Sequence, residues 1–191
     1  MDVRLKCSCG AVRGLALNVT PTTGNRVVCC CEDCQKFASY LNHNADILDQ
    51  FGGTDLYQTS QSQITINKGT EQIRCLRLSP KGLFRWYTEC CNTPIGNTLG
   101  PSFPFIGIIH NFMNLGDDRN NILGPVLAHI GIKDARGTPD YPNAREKVPI
   151  GLLFRMLHRM LYWKLKGMGR PSAFFKDGGA AIVAAKIMSR N

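Results

Sequence analysis

Cys7-Ser8-Cys9-Gly10, Cys29-Cys30-Cys31-Glu32-Asp33-Cys34 and Cys90-Cys91-Asn92-Thr93-Pro94 are three tight cysteine clusters in one chain, and the fold has to be built around them. They contain every cysteine of the chain except Cys75. A total of 9 cysteines is odd, which argues against a complete disulfide framework. In a reducing compartment, CxC and CxxC spacings read instead as metal ligands. The clusters can build two zinc sites of different kinds. A zinc ion with four protein ligands holds a fold, whereas one with three keeps a position for water or substrate.

Outward from the cysteines, the bulk properties narrow the class. A chain of 191 residues is long enough for one domain with its own core. A hydrophobic share of 43% and a charged share of 19% are globular values, not those of a disordered chain. Met1-Asp2-Val3-Arg4-Leu5-Lys6 has no apolar run behind its charges, so no signal peptide is expected. No uncharged apolar stretch approaches the roughly 20 residues of a membrane helix. The expected location is the cytoplasm. A formal charge of +9 raises nucleic acid or an anionic membrane surface as partners, although thiolate ligation of zinc would offset part of it.

Alternation and turn residues predict mainly short strands. Ala11, Leu15, Leu17 and Val19 are expected on one strand face with Arg13. Arg26 to Cys30 reads as a strand entering the second cluster, and Glu32 to about Leu41 as a helix with acidic residues at its positive end. Phe51 to Asp55 reads as a glycine-rich loop. Ile64–Ile66 and Ile73–Leu78 read as two strands joined by a hairpin turn at Asn67-Lys68-Gly69. Leu83–Tyr87, Ile95–Thr98 and Phe105–Asn111 complete the expected strands. Prolines and charges over residues 134–149 read as a linker between a β domain at 1–133 and a basic helical extension at 150–191. Within the extension a helix is expected at about Ile150 to Leu165, and a short Ala-rich helix near the end.

The three clusters, in this order and with these neighbours, resemble the family of glutathione-dependent formaldehyde-activating enzymes and centromere protein V. Cys7-Ser8-Cys9-Gly10 matches its first motif and Cys29 to Gln35 its second. Ser79-Pro80-Lys81-Gly82 to Arg85, followed by Cys91-Asn92-Thr93-Pro94-Ile95, matches its third. The resemblance covers roughly residues 1–112. It implies a zinc-stapled β-tent of short antiparallel strands carrying two Zn2+ sites. The first and third clusters would share a structural zinc, and Cys29, Cys31 and Cys34 would hold a second zinc where glutathione chemistry takes place. Two positions depart from the pattern: Thr88 stands where the family has a cysteine, and Asn92 where it has glycine. Cys90 is the substitute at hand. Adjacent cysteines point apart in an extended strand, so Cys90 and Cys91 can both ligate only through a tight bend. Two readings follow. Cys7, Cys9, Cys90 and Cys91 form a four-thiolate site, or the first site has three thiolates or none and is held by packing.

The resemblance implies a carbon–sulfur lyase acting on thiol adducts of a small aldehyde, such as S-hydroxymethylglutathione, with Cys29, Cys31 and Cys34 as the open catalytic zinc site. Gly53, Thr54 and Gln58 are the candidate substrate-binding residues, with Lys36 beside them. The Gly52-Gly53 amides would hold a carboxylate such as glutathione carries, unless the segment is a plain turn. His43 either approaches the open zinc as a proton acceptor or is an ordinary histidine. Cys30 is either a substitute ligand or a packed thiol, and Cys75 reads as a small buried hydrophobe. The basic segment Arg145 to Arg170 either lies on an anionic membrane or packs its apolar face on the β domain. The competing function is a non-catalytic, zinc-stabilised module that contacts nucleic acid, protein or membrane through its basic surface.

Overall fold

A computed structural model describes residues 1–142 and 144–188. In chain order it forms β1 (Val3–Lys6), β2 (Arg13–Ala16), β3 (Asn25–Cys29), α1 (Glu32–Tyr40), α2 (Asn44–Ile47), β4 (Thr54–Thr59), β5 (Ile64–Lys68), β6 (Ile73–Arg77), β7 (Phe84–Thr88) and β8 (Pro94–Thr98). Then follow β9 (Ile106–Ile109), α3 (Arg119–Leu123), β10 (Ala128–Ile130), β11 (Ala144–Arg145), α4 (Ile150–Leu165) and β12 (Lys186–Ile187). The fold is mainly β. β1, β2 and β5 make a small antiparallel sheet, and the other strands one mixed sheet in the order β11-β10-β3-β4-β9-β8-β7-β6-β12. The middle run from β3 to β6 is antiparallel, as expected. The edges are not: β10 and β12 join parallel to β3 and β6, returning from distant parts of the chain, as parallel neighbours must.

The small sheet covers one face of the large one. Val3, Leu5, Val12, Ala16 and Ile64 pack there against Ile73, Trp86, Ile95 and Ile106. On the opposite face lies α1, whose Phe37, Ala38 and Leu41 pack on Val27, Leu56, Leu76 and Ile109. Burying Phe37 alone is worth about 1.5–3 kcal/mol. This second face receives Cys29 from β3 and Cys34 from α1.

Four expectations are corrected. In β2 the buried residues are Gly14 and Ala16, preceded by buried Val12, while Arg13 is exposed and Leu15 half-buried; of the expected set only Val19, beyond the strand, is buried. Register explains it: Val3 lies opposite Ala16 and Leu5 opposite Gly14, so the large residues of β1 demand small ones across the ladder. β5 and β6 are not a hairpin, because β5 pairs with β2 and β6 with β7. The chain changes sheets at Gly69, which holds φ +78° and has no room for a side chain against the Ala11 carbonyl. Third, the 134–149 segment contributes β11, and the tail carries β12 rather than an Ala-rich helix. Phe174 and Phe175 of the tail pack on Trp86.

The fourth correction concerns α4. It forms at the expected residues but turns its apolar stripe outward. Leu152 and Trp163 are buried. Arg155 Nε donates to Asn25 Oδ1 at 2.8 Å, and Arg159 Nη1 to the Thr23 carbonyl at 2.8 Å. These polar contacts fix which face of the helix meets the sheet.

Candidate metal centres

Cys7 and Cys9 sit on the loop between β1 and β2; Cys90 and Cys91 sit on the turn between β7 and β8. Their four Sγ atoms lie within 4.8 Å of one another. The separations are 3.6 Å for Cys7–Cys9, 3.9 Å for Cys7–Cys90, 3.4 Å for Cys9–Cys90 and 3.7 Å for Cys90–Cys91. A tetrahedral zinc with Zn–S bonds of about 2.3 Å has S···S edges of about 3.8 Å. The four sulfurs fit that ion.

The local backbone explains how adjacent cysteines converge. Glu89 to Cys91 form a turn, and Asn92 takes φ +52°, a left-handed conformation that asparagine tolerates. Thr88 clamps the turn. Its amide donates to the Thr93 carbonyl at 2.9 Å, and its Oγ1 accepts from the Thr93 amide at 3.1 Å. Thr88 Oγ1 also lies 3.4 Å from Cys91 Sγ. Thr88 therefore supports the turn from behind, and Cys90 brings the fourth sulfur to the group.

Hydrogen bonds favour thiolates here. The Val12 amide donates to Cys7 Sγ at 3.2 Å, and Thr93 Oγ1 is 3.2 Å from Cys91 Sγ. Burial opposes ionisation of Cys91, yet Ser8, Thr88, Thr93 and the Cys9 amide hold its thiol down at about 4. Burial pushes Cys90 up to about 12 and raises Cys7, so only a cation would let all four ionise together. His43 braces the site: Nδ1 is 2.8 Å from Asp46 Oδ2 and Nε2 is 3.0 Å from the Cys91 carbonyl. It serves this site and not the open one.

The second cluster joins the end of β3 to the start of α1. Cys29, Cys31 and Cys34 bring their sulfurs within 4.8 Å of one another, with Cys29 and Cys31 3.3 Å apart. Among the described residues, this group has three possible ligands and the first has four. Hydrogen bonds from Cys29 and Cys34 hold the Cys31 thiol down at about 2, aided by Arg85. The Cys29 thiol favours a Cys34 thiolate, but Cys31 and burial outweigh it and push Cys34 up to about 12. Cys31 and Cys34 likewise drive Cys29 upward. Three converging thiols that cannot ionise together are a donor set suited to zinc.

Arg85 was not singled out from the sequence as a site residue. It projects from β7 with 2% exposure, Nη1 4.0 Å from Cys34 Sγ and Nη2 3.3 Å from Asp33 Oδ2. Its Nε is buried with no hydrogen-bond partner among the described residues. A guanidinium here would balance the charge of three thiolates around a divalent ion. The signal was present: a cation inside the apolar run Leu83–Tyr87 needs an anion.

The expected substrate residues divide. Thr54 lies directly opposite Cys29 in the β3–β4 ladder, and its buried Oγ1 has no hydrogen-bond partner among the described residues. Gln58 pairs with Asn25 at the far end of the same ladder, away from the thiols. Gly53 does not offer its amide to a ligand, because Asp49 Oδ1 already accepts from the Phe51 and Gly53 amides at 2.9 and 2.8 Å. Its missing side chain makes room for Val28, Asp49 and the Tyr141 hydroxyl. The glycine pair is a turn closed by Asp49, whose carbonyl accepts from the Gly52 amide at 3.0 Å and whose carboxylate accepts from the Gly53 amide. Lys36 is exposed and pairs with Glu32 at 2.8 Å. Cys30 points away from the cluster, its Sγ 3.8 Å from the Tyr141 hydroxyl, and burial raises its pKa. Cys75 is a packed thiol that burial pushes up to about 12.

No helix is long and apolar enough to cross a membrane among the described residues. The curated proteins contain no match to this chain. A crystal structure of a Rhodobacter sphaeroides protein is similar at a TM-score of 0.45 and 15% identity, over 66% of this chain and 97% of that one. A likeness at that level carries no function across. The model of a family of unknown function, DUF6151, matches residues 1–186, and the chain belongs to that family.

Proposed function

We propose that this chain is a zinc protein with two unlike centres, and that the second handles a small thiol. The reading that fits best is a carbon–sulfur lyase-like enzyme acting on thiol adducts of a small aldehyde, with S-hydroxymethylglutathione as the model substrate. One observation carries it: Cys29, Cys31 and Cys34 converge as a group of three beside a group of four. The motif resemblance to glutathione-dependent formaldehyde-activating enzymes supports the same reading. A β-tent architecture and a reducing, cytoplasmic setting belong to it.

When bound to three cysteines, zinc supplies a Lewis-acidic position that lowers the pKa of an added thiol. The chain's residues do the rest. Arg85 offsets the negative charge of the cluster, and burial of Cys29 and Cys34 keeps bulk water from competing. Thr54 offers an unengaged hydroxyl on the same sheet face as Cys29. In the synthetic direction a thiol adds across the aldehyde carbonyl. The carbon–sulfur bond forms and the carbonyl oxygen takes the proton; cleavage is the reverse.

A second reading, the non-catalytic zinc-stabilised module, draws on a specific observation. Asp49 takes both glycine amides that a glutathione carboxylate would need, Gly52 through its carbonyl and Gly53 through its carboxylate, and Gln58 is remote. Calorimetric titration of the zinc-loaded, reduced chain separates the two readings. The enzyme reading expects glutathione to bind, S-methylglutathione not to bind, and Cys31→Ser to abolish the response. If glutathione is silent while two zinc ions remain bound, the module reading stands.

A further inference from the structure

We propose that the outward face of α4 docks on an anionic lipid surface. Ile150, Leu153, Phe154, Leu157, Leu161 and Leu165 are 40–77% exposed and fall on one side of the helix, opposite Leu152 and Trp163. At about 1.5 Å rise per residue this stripe runs about 22 Å. Soluble helices bury such a stripe and wet their charges. Here Arg155 and Arg159 are held against the Asn25 side chain and the Thr22 and Thr23 carbonyls, so the stripe cannot turn inward without breaking those contacts.

Charge selects the occupant. From Lys147 to Lys176 the sequence contains no aspartate or glutamate. Lys147, Lys164 and Lys166 are exposed, and make no ion pair among the described residues. Two copies paired through α4 would bring two acid-free helices together with lysines and no counter-charge. An anionic surface supplies that counter-charge along the whole helix. The stripe is a ridge that sinks into the headgroup boundary without a complementary groove, with Lys164 on the same face near its C-terminal end. The lysines at its ends reach lipid phosphates by snorkelling, and the half-exposed Tyr162 sits at the same level. The helix lies on such a surface rather than crossing it, in keeping with its length of 16 residues.

The test is co-sedimentation of the full zinc-loaded chain with phosphatidylcholine vesicles, with and without phosphatidylglycerol. The chain should partition onto the phosphatidylglycerol vesicles, more weakly as salt rises, and largely ignore phosphatidylcholine alone. The double variant Leu157→Gln and Leu161→Gln should lower partitioning by about tenfold or more. Lys164→Gln with Lys166→Gln should lower it by about fivefold or more and only on the anionic vesicles. Both variants should keep the wild-type zinc content and Tm, since all four positions are solvent-facing. Absence of wild-type partitioning on both vesicle types overturns the proposal. So does a dimer in light scattering that the leucine variant dissolves, which would assign the face to a second copy.

Discussion

Arg85 is the residue on which the charge of the three-cysteine centre depends. It is a buried guanidinium between a carboxylate and a thiol, with one nitrogen unpaired. Arg85→Met keeps much of the volume and removes the charge. Zinc held by Cys29, Cys31 and Cys34 should then yield to a chelator about tenfold more readily, as outer-shell losses commonly produce, while the other zinc is unaffected. Equal release from both sites in the variant and wild type would contradict this role. His43 makes a prediction in pH. Its hydrogen bond to Asp46 raises its pKa above the ordinary 6.5, so the folded chain binds that proton more tightly than the unfolded chain does. The resulting stabilisation is complete below 6.5 and is lost as pH rises through the raised value. Urea unfolding at about pH 6 and about pH 8 should show wild type losing stability relative to His43→Gln. A constant difference between them would remove His43 from the account. The cysteines were legible because ligands bunch in short loops. Arg85 was harder to see because its partner Cys34 lies 51 positions away. The meaning of Thr88 emerged only when the turn was seen to bring Cys90 and Cys91 together.

Among the elements, β2 shows why alternation alone misled. Leu15 is its most apolar residue, yet the face that meets the core carries Gly14 and Ala16. Gly14 is chosen for what it lacks: a Cβ there would overlap the Thr65 carbonyl oxygen of β5. Gly14→Ala should push β2 and β5 apart at a cost of about 1–3 kcal/mol, read as a lower urea midpoint with an unchanged m-value. An unaltered midpoint would mean that the small sheet is looser than its register implies. Helix α4 was legible in extent from its periodicity, but not in orientation. Which stripe faces the sheet depends on Asn25 and on the Thr22 and Thr23 carbonyls, more than a hundred positions away.

Across the whole molecule, the two centres have different mechanical positions. The four-thiolate group ties the small sheet, through Cys7 and Cys9, to the β7–β8 turn of the large sheet. Zinc there is expected to be part of the folding energy. The three-thiolate group ties β3 to α1 on the opposite face, where the sheet and helix already pack through Phe37 and Leu56. Loss of that zinc should leave the fold largely intact. The mainly β class could be read from the short alternating runs. The parallel edge strands β10, β11 and β12 could not, because each is two or three residues long and exists only through its partner. The most direct test of two unlike zinc centres is native mass spectrometry of the reduced chain, purified without chelator, beside Cys31→Ser. The wild type should carry two zinc ions and take up one glutathione. The Cys31→Ser protein should carry one zinc, take up no glutathione and stay folded. A wild type with a single zinc, fully retained in Cys31→Ser, would contradict the account.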